Sequence, residues 1–214
     1  MIYLALGDSI TAPMAGVVNY CDALSGAISS PGSTAIPLSQ VVNHGVNGYT
    51  TSQLLANWAT EVTGQVPQIA SVMLGTNDHA LSGGSPLVSP SDYGTNLAAI
   101  ITTLQAISHG LPFNGGHPYV VVFGSPYVVS NSSRDEVRLQ TYIEIARVVA
   151  TANGAAFADL NVMTGSMCGW NDAAWIANYT HANDGLHPNT AGHAAMLILI
   201  REVLSRIAFS MRIS

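Results

Sequence analysis

Lysine is absent from this 214-residue chain, and its six cationic side chains are all arginine. Twelve carboxylates accompany them, so only 8% of residues are charged, about a third of the ~25% usual for a globular chain. Without a basic cluster, and at a net charge of −6, a nucleic-acid partner is excluded, because phosphate binding depends on grouped Lys and Arg. Long hydrophobic runs are lacking too. Apolar residues reach 48%, yet the longest stretch, residues 194–200, is closed by Arg201 and Glu202, well short of the ~18–20 residues that span a bilayer. The same apolar content excludes a disordered chain. Cysteine is scarce. Cys21 and Cys168 fit no metal spacing, and both a cross-fold disulfide and two separate buried thiols remain open. No leader pattern precedes the first apolar run, although a mature chain with its leader removed would read the same way. No linker, repeat or low-complexity block divides the sequence, so residues 1–214 read as one domain.

What is present is an alternation of short apolar runs with longer helical patterns. Residues 2–6, 40–43, 69–74, 119–123 and 155–158 read as strands. Residues 52–63, 91–108, 134–153 and 190–209 carry apolar side chains at helical spacing; in the second, Tyr93, Leu97, Ile100, Ile101 and Leu104 form one stripe behind a cap at Ser91. Wholly apolar strands alternating with helices predict an α/β fold, a parallel sheet covered on both faces. Ligands of such sheets bind beyond the carboxyl ends of the strands. Attention therefore falls on the loops that follow them.

Three of those loops, with one late segment, hold the groups that acyl transfer needs. Ser9 follows the first strand in a Gly-led turn. A serine hydroxyl is a weak nucleophile and requires a neighbouring base. Asp184-Gly185-Leu186-His187-Pro188 supplies one: a carboxylate three residues before an imidazole can hold Nδ1–H and leave Nε2 to take the Ser9 proton. The developing oxyanion needs donors, and the Ser9 and Gly48 N–H groups and the Asn77 amide are the candidates.

The blocks Gly7-Asp8-Ser9, Asn43-His44-Gly45-Val46-Asn47-Gly48, Gly75-Thr76-Asn77-Asp78 and Asp184 to Pro188 resemble, in order, the four signature blocks of the SGNH (GDSL-type) hydrolases. The resemblance implies a flavodoxin-like three-layer α/β/α sandwich with a five-stranded parallel sheet. It implies ester hydrolysis through a serine acyl-enzyme, with no metal or cofactor and a small-molecule or glycan ester as substrate. Ser9 matches the nucleophile, His187 the base, Asp184 its orienting acid, and Gly48 and Asn77 the oxyanion donors. Gly45 competes with Gly48 within the second block, and spacing favours Gly48. His44 stands where many relatives carry Arg.

Competing readings are weaker. His181, Asp184 and His187 share metal-like spacing but lack further ligands. No Gly-x-Ser-x-Gly elbow, Ser-x-x-Lys or Gly-x-Gly-x-x-Gly occurs, which argues against other serine hydrolases and against a dinucleotide site. A silent ester- or glycan-binding module would be expected to have lost a block, and none is broken. Asp8 and Asp78 read as hydrogen-bond acceptors for loop backbone, and His193 as structurally satisfied. His79 is expected at the pocket rim, with Tyr49 and Tyr127 as pocket candidates beside Trp170 and Trp175. Residues 81–90 and 125–129 are candidate walls. With Asp8, Asp78 and Asp184 in the signature loops, the mouth is expected to be net acidic and to prefer neutral, short-chain esters, carbohydrate O-acetyl groups among them. Oligomeric state is left open.

Overall fold

A computed structural model describes residues 1–28 and 38–213. Its first strand, β1 (Ile2–Gly7), is buried from its second residue to its last. Six further strands follow: β2 (Gln40–Gly45), β3 (Ile69–Met73), the two-residue β4 (Leu81–Ser82) and β5 (Ser85–Pro86), β6 (Tyr119–Gly124) and β7 (Ala156–Asp159). β4 and β5 form a small antiparallel hairpin over Gly83-Gly84. The other five pair in parallel in the order β2-β1-β3-β6-β7, the order of a flavodoxin-like doubly wound sheet.

Alternation along β1 sends Tyr3 and Ala5 to one face and Leu4 and Leu6 to the other. Against the first face pack α1 (Tyr20–Ile28) and the long terminal helix. The second face is covered mainly by α2 (Thr51–Ala56), α3 (Trp58–Glu61), α4 (Pro90–Gln105) and α5 (Glu136–Ala152). Two shorter helices, α6 (Leu160–Met167) and α7 (Asp172–Tyr179), precede α8 (Thr190–Ile213). The result is the expected α/β arrangement with helices on both sides of the sheet. Among the described residues, no helix is long and apolar enough to cross a membrane.

Several boundaries differ from the sequence reading, each for a local reason. The helix expected over 52–63 breaks at Asn57, whose side-chain amide returns to the Gln53 carbonyl at 2.9 Å. The cap of α4 is Ser89 rather than Ser91: its hydroxyl accepts the Asp92 N–H at 3.1 Å, and Pro90 follows at the first helical position. α5 begins only at Glu136, because Asp135 caps it by accepting the Arg138 N–H at 2.8 Å. Arg134 is thereby left in the preceding loop. Cys21 and Cys168 are both free and buried, the first beneath α8 and the second beside Tyr127 and Trp175.

Strand register sets the carboxyl edge. Gly7 is level with Gly45 of β2 and Met73 of β3, so the loops after all three strands leave from one line. The loop after β1 is pressed against β2: a Cβ on Gly45 would lie 2.2 Å from the Ala12 nitrogen and 2.5 Å from the Thr11 carbonyl carbon. Asn43 and the buried Asn19 both donate side-chain N–H groups to the Thr11 carbonyl, at 2.7 and 3.3 Å. Because the clash is backbone on backbone, Gly45→Ala is expected to destabilise the protein by about 1–3 kcal/mol, read as a lowered urea midpoint; an unchanged midpoint would show that the loop can yield.

Candidate active site

Ser9 stands just past the end of β1, two residues beyond the strand's last ladder position. Its loop is fixed from within, since the Asp8 carbonyl accepts the N–H groups of Thr11 and Ala12 at 3.1 and 2.9 Å. It is fixed from outside by the Gly7 carbonyl, which accepts the Val46 N–H at 3.0 Å. Across the mouth, Ser9 Oγ lies 2.9 Å from His187 Nε2. His187 Nδ1 lies 2.6 Å from Asp184 Oδ2. The other carboxylate oxygen, Asp184 Oδ1, accepts the Leu186 and His187 N–H groups, each at 2.8 Å. Burial pushes the Asp184 carboxyl up, but these donors and the imidazole outweigh it and hold the group below its ordinary range. The segment is anchored by the Thr180–Pro188 bridge and by Val129, whose N–H bonds the Gly185 carbonyl at 2.9 Å.

A cleft of about 380 Å³ opens over these groups, lined by Ser9, Met14, Asn47, Gly48, Asn77, Arg134, Leu186 and His187. Its volume is that of a small-molecule site. Gly48 sits there with φ +80° and open space where a Cβ would point. Gly45 does not line it, and its N–H is taken by the Asn43 side chain at 2.9 Å. Of the two glycines in the second block, Gly48 is the one that lines the cleft. Asn77 is buried, with Nδ2 donating to the Tyr49 carbonyl at 3.0 Å and Oδ1 accepting from Arg134 at 3.0 Å.

The expected pocket aromatics lie elsewhere. Tyr127 is buried with Trp175 and gives its hydroxyl to Asp172 at 2.6 Å. Trp175 is fully buried, whereas Trp170 is half exposed against Tyr127. Tyr49 turns its hydroxyl to Glu61 and reaches the site only through its carbonyl. His79 has no exposed surface and so forms no rim; Nδ1 contacts the Gly75 carbonyl at 2.9 Å, and burial depresses its pKa to about 4. Neither residues 81–90 nor 125–129 line the cleft. The apolar walls are Met14, which no motif marks, and Leu186, which sits inside the fourth block between Asp184 and His187. His193 differs as well: it is buried, its Nδ1 has no partner, and burial lowers its pKa to about 4.

Charge at the mouth is likewise not purely acidic, since the Arg134 guanidinium lies in the cleft. Asp8 and Asp78 are buried beneath the loops. Asp8 accepts the Ile10 N–H at 2.9 Å, and Asp78 accepts the Thr51 N–H and hydroxyl at 2.9 and 2.6 Å. In each, the second carboxylate oxygen has no hydrogen-bond partner among the described residues. Burial drives the Asp8 pKa from 3.8 to about 7, with Ile10 and Arg134 pulling it down and Asp78 adding to the rise.

This fold and this hydrogen-bonded serine, histidine and aspartate define a serine ester hydrolase. The chain belongs to the GDSL-like Lipase/Acylhydrolase family, whose profile matches residues 5–195. It is 24% identical over 177 residues to an acetylxylan esterase of Geobacillus stearothermophilus, covering 79% of this chain and 73% of that protein. Two solved structures share the fold. The crystal structure of Axe2, an acetylxylan esterase from Geobacillus stearothermophilus, has a TM-score of 0.72 at 20% identity, covering 95% of this chain and 93% of that one. A lipase/acylhydrolase from Enterococcus faecalis has a TM-score of 0.73 at 22% identity, covering 97% of each chain.

The buried Asp8 sets a pH test. Near pH 4 and below, folded and unfolded chains both hold its proton; between there and about pH 7, only the folded chain does. Its contribution to stability is therefore present at low pH and lost as pH rises through about 7. Asp8→Asn cannot ionise, so its unfolding free energy is expected to climb relative to wild type across that window, measured by urea midpoints at pH 4–8. A pH-independent difference would refute the assignment.

Proposed function

We propose that the protein hydrolyses short-chain carboxylic esters, with O-acetyl groups on carbohydrates as the favoured substrate class. The observation that carries this reading is the continuous line from Ser9 Oγ through His187 to Asp184, opening into a small cleft beside Gly48 and Asn77. Ser9 Oγ attacks the ester carbonyl while His187 Nε2 takes its proton. Asp184 holds the imidazolium through Nδ1–H. The carbonyl electron pair moves onto oxygen, where the Ser9 and Gly48 N–H groups and Asn77 Nδ2 receive the charge. As the intermediate collapses, the C–O bond to the leaving alcohol breaks and His187 returns the proton to that alcohol. Water then attacks the acyl carbon and gives a proton to His187; as the bond to Ser9 Oγ breaks, His187 passes that proton to the serine and the acid leaves.

Substrate size is argued from the walls. The cleft is lined by only two large apolar side chains, Met14 and Leu186, among polar groups. Such a site accommodates an acetyl group and a hydroxyl-rich leaving group better than a long acyl chain. The likeness to an acetylxylan esterase supports the same substrate class. Every group that the cycle requires is present, which tells against a silent binding module.

Two measurements test the proposal. Ser9→Ala is expected to lower the rate on p-nitrophenyl acetate by at least ~10⁴-fold and to abolish fluorophosphonate labelling; wild-type turnover by that variant would sink the serine mechanism. Rates across an acetyl-to-palmitoyl series are expected to fall with chain length, and acetylated xylooligosaccharides to release acetate. A preference for palmitoyl esters would overturn the substrate class while leaving the mechanism standing.

A further inference from the structure

In a chain with six cations, two reach from the N-terminal end of α5 into the loop after β3. Arg138 donates Nε to the His79 carbonyl at 2.7 Å and Nη2 to the Ser133 carbonyl at 3.0 Å. Arg134 donates Nε to the Thr76 carbonyl at 3.4 Å and Nη2 to Asn77 Oδ1 at 3.0 Å. The first bond of each arginine thus fixes backbone at one end of the 76–79 turn. The second bond of Arg134 acts on a side chain that faces the cleft.

The Asn77 amide carries two hydrogens on Nδ2 and an acceptor at Oδ1. Arg134 occupies the acceptor, and the Tyr49 carbonyl takes one hydrogen at 3.0 Å. Turning the amide by 180° would set its NH2 against the guanidinium and its oxygen against the Tyr49 carbonyl, and both contacts would be repulsive. Only one orientation is stable, and it leaves a single Nδ2–H unspent. The same guanidinium polarises the amide it holds, which strengthens that remaining donor.

We propose that Arg134 is a positioning residue for ester hydrolysis, locking the Asn77 amide so that its free Nδ2–H meets the oxyanion. This rests on the Ser9 acyl-enzyme mechanism proposed above. Lysine cannot replace it, because a point ammonium cannot serve the Thr76 carbonyl and Asn77 Oδ1 together as a planar fork does.

The test is a double-mutant cycle on p-nitrophenyl acetate, with Arg134→Ala, Arg134→Lys, Asn77→Ala and the two combinations. Asn77→Ala is expected to lower kcat by ~10²–10³-fold, the usual loss of one oxyanion donor. Arg134→Ala is expected to lower kcat by about 10–100-fold, within the loss of the donor it positions, with KM little changed. Arg134→Lys is expected to recover only part of that loss. In the Asn77→Ala background, either Arg134 change is expected to alter kcat by less than about twofold, because the group being positioned is gone. A structural role alone would give the same loss in both backgrounds. Wild-type kcat in the Arg134 variants, or an undiminished loss without Asn77, would overturn the proposal. Should Arg134→Ala fail to fold, the Arg134→Lys arm of the cycle decides by the same criteria. Inert Arg134 variants beside a dead Ser9→Ala would remove this inference alone, whereas an active Ser9→Ala would remove the mechanism beneath it.

Discussion

The site depends on one close backbone contact at the carboxyl edge of the sheet. β1 ends level with β2 and β3, and Gly7 and Gly45 let the chain after β1 fold back against its neighbours. A Cβ on Gly7 would meet Thr11 Oγ1 at 2.2 Å and the Met73 carbonyl at 2.9 Å, much as one on Gly45 would meet Ala12. These glycines are needed for space, not for unusual dihedrals. Gly48 is the reverse case, a left-handed residue with room around it. Once the loop is seated, carbonyls and side-chain amides from three segments hold it. Ser9, the proposed nucleophile, is then presented by a rigid frame, as catalysis by pre-set geometry requires.

Electrostatics follow the same economy. The few charges are concentrated where they orient something. Asp78 ties the start of α2 to the loop after β3 through Thr51, while Arg134 and Arg138 bind backbone carbonyls around that loop. Asp8 lies within the fields of Asp78 and of Arg134, in a region where low dielectric makes each interaction stronger than at the surface. His79 and His193 are kept neutral by burial through most of the pH range. Among the described residues, His187 is the histidine that bridges the serine and its partner acid.

Much of this was legible in the sequence because it is written in local pattern. Three of the parallel strands, β1, β3 and β6, are largely apolar runs with glycine at or just beyond their ends, whereas β2 and β7 carry weaker signals. The four blocks hold six of the eight residues that line the cleft, all but Met14 and Arg134. Less legible were features that depend on distant contacts. α1 is announced only by the reciprocal Asn19–Asp22 cap, and α6 and α7 are eight residues each, too short for periodicity to stand out. Tyr127 and His79 lie next to block residues in sequence, yet strand and loop geometry turn them into the interior. Arg134 went unnoticed because it reads as the first residue of a helix. The Asp135 cap excludes it from α5 and frees it to face the cleft. No spacing rule marks that event, although Asp135 is itself a recognisable cap.

Ser9 and His187 are 178 residues apart in the chain, and this separation has a temporal meaning. Synthesis delivers the proposed nucleophile with the first strand and its proposed base only after the last strand is complete. A nascent or truncated chain lacking the segment beyond residue 180 carries an inert serine, however well its sheet has formed. Long-range closure of this kind is the slow part of assembling an α/β fold. Under the proposed mechanism, hydrolytic competence is thus a late event, gained when the 180–188 turn docks across the sheet edge, and lost if that turn detaches.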